Sequence, residues 1–160
     1  MPRTYIALGS NIDPEDNLKA ASILLREKFP DIRFSSVYRT APLEHTKQAD
    51  FLNATATFES AASPEEILLV LSHIELHLKK NPPFRFGPRT IDLDLLLYGD
   101  TVLSGALTIP HPRMHERRFV LEPLNDLLDP QTRHPVLGKT WAELLQETIQ
   151  QNVTEMKILL

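Results

Sequence analysis

Ile91-Asp92-Leu93-Asp94-Leu95-Leu96-Leu97 is the stretch on which the fold turns. Residues two apart on a strand share a face, so Ile91, Leu93, Leu95 and Leu97 are expected to bury one side. Asp92 and Asp94 then project together from the other, roughly 7 Å apart at Cα. Two carboxylates this close repel each other and resist burial, so they need cations to sit there comfortably. Hard oxygen ligands favour Mg²⁺, which keeps part of its water shell and bridges to substrate phosphates. The same residues also describe an edge strand with a solvated acidic face. The pair alone does not decide.

The segment before the strand adds the opposite charge. Lys79, Lys80, Arg85 and Arg89 crowd into a loop whose corners are set by Pro82, Pro83, Gly87 and Pro88. Carboxylates that can hold magnesium, beside a basic loop, are the parts needed for phosphoryl transfer, where positioning and charge neutralisation do most of the work. No Gly-x-x-x-x-Gly-Lys-Ser/Thr occurs, so a P-loop is excluded.

Further out, the pattern is regular. Thr4 to Gly9 reads as a buried strand. Asp13-Pro14-Glu15 offers an N-cap, a first-turn proline and first-turn acid for a helix burying Leu18, Ala21, Leu25 and Phe29. Ile32 to Tyr38 is expected to be one strand. Leu52, Ala54, Ala56 and Phe58 alternate with polar residues as a half-buried strand. Ser63 and Glu66 form a capping box for a helix burying Ile67, Leu71, Ile74 and Leu78. Short strands are expected on either side of Gly105 and helical turns between Arg113 and Leu128. A second capping box at Thr140 and Glu143 opens a helix reaching about Gln151. Strand-helix-strand-strand-helix-strand predicts an α+β, ferredoxin-like sandwich, a mainly antiparallel sheet flanked by helices. Residues 1–160 are read as a single domain.

Composition narrows the function. The 160 residues are 42% hydrophobic and 24% charged, and a chain of this size buries about two-thirds of its unfolded surface without staples. There is no cysteine, which removes disulfides, thiolate catalysis and Cys-ligated zinc. A net charge of −4 speaks against a general nucleic-acid binder. No apolar run reaches the roughly 20 residues of a membrane span, and the start lacks a signal-peptide pattern, so the expected address is cytoplasmic. His111/His115 and His73/His77 have zinc-like spacing, but neither pair has an evident third ligand. Phosphate contacts suit His111 and Arg117 better. Between Thr40 and Asn53 lie proline-held backbone groups, the Phe51 ring and the Asn53 amide, a set that suits a planar heterocycle with an amide-like edge.

With these residues in view, Arg85-Phe86-Gly87-Pro88-Arg89-Thr90-Ile91-Asp92-Leu93-Asp94-Leu95-Leu96 resembles the signature of the 6-hydroxymethyl-7,8-dihydropterin pyrophosphokinase family of folate biosynthesis. Tyr5 to Asn11, Tyr38-Arg39-Thr40, Asp50 to Asn53 and Ile109 to Met114 are similar to further family segments. The resemblance implies pyrophosphoryl transfer from ATP to the pterin hydroxymethyl oxygen, with AMP leaving. It implies that Asp92 and Asp94 hold two Mg²⁺ ions and that Arg85 and Arg89 join them in catalysis. Pterin contacts fall on Thr40, Pro42, Leu43, Phe51, Asn53 and Phe119. Nucleotide contacts fall on Glu75, Lys79, Lys80, Phe86, Arg89, Leu95, Thr108, His111 and Arg117. Partners are then ATP and a reduced pterin, with no nucleic acid or membrane, and a monomer is expected. The alternative is a module that binds nucleotide or pterin without turning it over.

Overall fold

The computed structural model describes residues 1–41, 49–78 and 90–160. Strand β1 (Arg3–Ser10) and helix α1 (Pro14–Lys28) come first, then the short strands β2 (Arg33–Phe34) and β3 (Val37–Thr40). Strand β4 (Phe51–Glu59), helix α2 (Pro64–Leu78) and strand β5 (Asp92–Tyr98) complete the ferredoxin-like set. A 3₁₀ turn (Met114–Glu116), α3 (Arg118–Asn125), α4 (Trp141–Glu147) and β6 (Thr154–Met156) follow. The sheet order is β5-β1-β4-β3-β6, with β2 also on β4, and the strand pairs are antiparallel. This is the expected fold class; the sheet has six strands because the stretch from Ile32 to Tyr38 forms two and β6 is added at one end.

Helices cover both faces. Against one face, Leu18, Ala21 and Leu25 of α1 and Ile67, Leu71 and Ile74 of α2 pack on Ile6, Leu8, Ala54, Ala56, Leu93 and Leu95. Phe58 and Phe29 stack there with centroids 3.8 Å apart. Against the other, Val120, Leu121 and Leu124 of α3 and Trp141 and Leu144 of α4 close over Leu96 and Leu97. The expected box at Thr140 closes in both directions, Thr140 Oγ1 accepting from Glu143 N–H and Thr140 N–H donating to Glu143 Oε2. At Ser63 the N-cap bond forms, Ser63 Oγ accepting from Glu66 N–H, but the Glu66 carboxylate is met by the Ser63 hydroxyl at 3.2 Å.

Several local expectations are corrected. Asp13 does stand before α1, but in the left-handed region at φ 41° and without a side-chain cap; its carbonyl accepts from Asn17 N–H. The strand expected over Ile32 to Tyr38 is interrupted at Ser35 and Ser36, where Ser35 Oγ accepts from Thr55 N–H and takes the place of a ladder bond. Strand β4 is buried on both faces and not on one, because α3 packs across its polar side. The two strands around Gly105 reduce to a single bridge, Leu103 to Ile109, and α4 stops at Glu147. In β5 the register slips between Tyr5 and Ile6, so Leu97 leaves the company of Ile91, Leu93 and Leu95. It packs instead with Leu96 beneath α3 and α4. The bulge thus converts an alternating strand into one that feeds both cores.

Candidate functional site

Register alone assembles a polar surface on the α3 side of the sheet. Residues directly opposite across antiparallel strands share a face. Tyr38 pairs with Asn53, Asn53 with Gly9, and Gly9 with Asp92, giving one row across four strands. Thr40 and Phe51 form the row on one side, and Thr55, Ala7 and Asp94 the row on the other. With strands about 4.8 Å apart, Asn53 and Asp92 stand about 10 Å from each other on this face. Between them the floor is only Gly9 and Ala7.

Gly9 has a reason to be glycine. A Cβ there would lie 3.1 Å from Asn53 Oδ1, tight enough to displace the amide. The Asn53 side chain is buried, and its Nδ2 donates to Thr40 Oγ1 at 2.9 Å. That bond fixes which way the amide points and leaves its oxygen along the Gly9 side. Asn11 closes the end of β1, its Nδ2 donating to Ala49 O at 3.2 Å and so holding the approach to β4.

The acidic end is built on an edge. Asp94 is exposed and Asp92 half-buried, both on the β5 face that looks away from the α1/α2 core. Two hard carboxylates beside a glycine and an alanine leave room for a cation, and the donor set suits Mg²⁺ completed by water and phosphate oxygens. Among the described residues no cluster of three or more His, Asp or Glu forms an all-protein cage. On the outer edge of β5, Leu93 N–H donates to Glu75 Oε2 at 3.0 Å, and Leu96 O accepts from His111 N–H at 3.0 Å. Glu75 and His111 are thereby placed at the same margin as the two aspartates.

His111 Nδ1 accepts from Arg113 N–H at 3.2 Å, so a neutral ring carries its proton on Nε2. Burial lowers its pKa, and the charges of Arg117 and Arg113 lower it further. The ring is therefore a neutral donor at pH 7. Arg117 lies with its guanidinium 5.6 Å from the centre of the Phe119 ring. Phe119 is half-buried against the α3/α4 core.

Of the residues named from sequence, Thr40, Phe51, Asn53, Asp92 and Asp94 come together on one sheet face. Phe119 and Arg117 stand at the start of α3, which packs on β3 and β4. Glu75 and His111 each bond to the outer edge of β5, at Leu93 and Leu96. Thr108 sits on the loop leading to His111, with its Oγ1 directed to Gly105 O at 3.4 Å. Leu95 is different: its side chain is buried in the α1/α2 core, so only its backbone can meet a ligand. Pro42, Leu43, Lys79, Lys80, Arg85, Phe86 and Arg89 lie outside the described residues. Sequence reasoning passed over Gly9 as a site residue, since only the cross-strand register shows what its missing side chain makes room for.

Residues 5–129 match the family described as 7,8-dihydro-6-hydroxymethylpterin-pyrophosphokinase (HPPK). The chain is 42% identical over 127 residues to the Bacillus subtilis 2-amino-4-hydroxy-6-hydroxymethyldihydropteridine pyrophosphokinase, covering 77% of this chain and 76% of that one. It is 39% identical over 148 residues to the Pseudomonas aeruginosa protein of the same name, covering 89% and 90%. It is 45% identical over 126 residues to the Pisum sativum mitochondrial folate synthesis bifunctional protein, covering 77% of this chain but only 24% of that longer one. In fold it is similar to a Plasmodium falciparum HPPK-DHPS crystal structure, with a TM-score of 0.70, 17% identity, and coverage of 94% of this chain and 44% of that one. No described helix is long and apolar enough to cross a membrane. The chain belongs to the 7,8-dihydro-6-hydroxymethylpterin-pyrophosphokinase family.

Proposed function

We propose that this chain transfers pyrophosphate from ATP to the hydroxymethyl group of 6-hydroxymethyl-7,8-dihydropterin, releasing AMP and the pterin diphosphate for folate biosynthesis. The observation that carries this reading is the row Asn53–Gly9–Asp92. It joins an amide suited to a heterocycle's edge and a carboxylate suited to a phosphate-bound cation, about 10 Å apart on one uninterrupted floor.

Asn53, oriented by Thr40, reads the hydrogen-bonding edge of the pterin, while Phe51 and Phe119 supply ring faces. Asp92 and Asp94 would hold two Mg²⁺ ions, which when bound neutralise charge on the triphosphate. Arg117 adds a fixed positive charge, and His111 donates from Nε2 to a phosphate oxygen without carrying a charge of its own. Arg85, Arg89, Lys79 and Lys80 are assigned to the triphosphate by resemblance of sequence, and Phe86 and Leu95 to the nucleotide on the same ground. Catalysis on this scheme is positioning and electrostatics, since phosphoryl groups in flight need little covalent help. The chain is proposed to work as a cytoplasmic monomer.

The test is AMP release from ATP with Mg²⁺, in the presence and absence of the hydroxymethyl pterin. Pterin-dependent AMP formation is expected, and it should disappear when Mg²⁺ is chelated. Binding of both ligands without AMP would establish the non-catalytic module instead.

A further inference from the structure

Helix α3 begins with a problem of unpaired donors. The first N–H groups of any helix lack intrahelical partners. Arg117, at the N-cap, supplies no side-chain cap. For the first of them, the Arg118 N–H, the partner comes from the tail that follows α4, where residues 149–151 also receive the Arg118 side chain. Arg118 N–H donates to Gln151 Oε1 at 2.9 Å, and Gln151 Nε2 donates back to the Glu116 carbonyl at 2.8 Å. The Arg118 guanidinium donates to the carbonyls of Ile149 at 3.0 Å and Gln151 at 2.7 Å. Its Nε reaches Glu122 at 3.3 Å, and the side chain is only 18% exposed. A planar fork held at several points is a rigid link, unlike a solvated surface arginine.

The chain neighbours of Arg118 are Arg117, at the N-cap of α3, and Phe119, within it, both assigned above to ligands. Successive side chains on a helix point about 100° apart, so Arg118 can grip the tail while its neighbours point elsewhere. Three residues beyond Gln151, the same tail enters β6 and pairs with Val37, Tyr38 and Arg39 of β3, the strand that carries Thr40. The tail therefore links the start of α3 to the strand that orients Asn53. At the other end of the helix, Asp126 Oδ2 accepts from the Tyr38 hydroxyl at 2.9 Å. Helix α3 is thus tied to β3 twice, once directly and once through the tail.

We infer that the Arg118–Gln151 clamp is a positioning device for the pterin end of the site. It sets where Phe119 stands relative to Asn53, and it makes residues beyond the family-matched 5–129 a working part of substrate binding. The inference rests on the pyrophosphokinase reading.

The experiment is steady-state kinetics on the full chain with Mg-ATP and the hydroxymethyl pterin, beside thermal melts. Arg118→Ala should raise the pterin KM about tenfold while kcat at saturating pterin falls less than about threefold, because a displaced ring weakens capture more than chemistry. Arg118→Lys keeps one bond to the tail and should recover part of the loss. Thr140→Ala removes the α4 cap in the same half of the molecule; it should lower the melting temperature and leave the pterin KM unchanged. If Arg118→Ala does not fold, Gln151→Ala carries the test, with a smaller rise of about threefold expected. An unmoved pterin KM in the Arg118 or Gln151 variant, or an equal rise in Thr140→Ala, would overturn the clamp and leave the function standing. A wild type without pterin-dependent AMP release would overturn the functional reading, and the clamp's role with it.

Discussion

The two faces of the central sheet are made from the same strands and serve opposite ends. Toward α1 and α2, β1 and β4 present Ile6, Leu8, Ala54, Ala56 and Phe58, all buried and all apolar. Toward α3, the same strands present Ala7, Gly9, Asn53, Thr55 and Thr57. Those polar residues are buried too, and Thr55 Oγ1 has no hydrogen-bond partner among the described residues. One face gains chiefly from burial of apolar side chains, Thr4 beside Phe58 being its polar exception. The other accepts the cost of polar groups out of water and gains a floor on which direction is fixed.

The largest effects should break this contrast from each side. Phe58→Ala, on the apolar face, is expected to cost about 3–5 kcal/mol of stability, since it removes the ring stacked on Phe29 and leaves a cavity. Chemical denaturation would show it, and an unchanged midpoint would mean the face is not the structural one. Asp94→Ala, on the site face, should do the reverse. AMP release should fall by a factor of about a thousand, several kcal/mol of transition-state stabilisation, with the melting temperature little changed. Turnover at the wild-type rate with Mg²⁺ would remove Asp94 from the site.

Smaller changes sharpen the contrast within the site face. Asn53→Ala should weaken pterin binding by about 1–3 kcal/mol while an ATP analogue binds as before. Calorimetry showing equal losses for both ligands would reassign Asn53. Gly9→Ala puts a methyl group against Asn53 Oδ1 and should cost about 1 kcal/mol in pterin affinity, with β1 still formed. No change in pterin affinity would show that the floor has slack. The smallest effect belongs to protons. Burial holds the pKa values of His111 and His134 below their ordinary 6.5. The unfolded chain then takes up protons first as the solution is acidified. Stability is fully present above about pH 6.5 and declines as pH falls toward the folded values. Imidazole resonances followed by NMR should titrate below 6.5 for both rings, and a midpoint above it would contradict the burial.

Legibility in the sequence followed these faces. The apolar face was written in local alternation, so β1, β4, β5 and both flanking helices were readable, down to the N-cap bond at Ser63. The departures came from partners distant in sequence. Strand β4 alternates like a half-buried strand, and only α3, contributed some sixty residues later, makes it buried on both sides. Leu97 changed faces because a bulge depends on how β1 pairs, which periodicity does not record. Strand β6 went unseen because Thr154-Glu155-Met156 has no apolar run and is held by β3 alone. In the site, Asp92, Asp94, Asn53 and Phe51 were found from residue type and family resemblance. Gly9, Arg118 and Gln151 were not, since each acts through a contact made only after folding.

The bonds along the outer margin of β5 have a consequence for life in a crowded solution. An exposed strand margin is a template on which another chain can add itself, and growth of that kind leads to aggregates. Here the Leu93 N–H is taken by Glu75 and the Leu96 carbonyl by His111. An incoming strand would have to displace a carboxylate and a backbone donor before its own ladder could start. At the opposite margin stands β6, only three residues long and flanked in sequence by Lys157. Both ends of the sheet are thereby poor seeds for fibrous assembly, and at the β5 end the groups that prevent it stand beside Asp92 and Asp94.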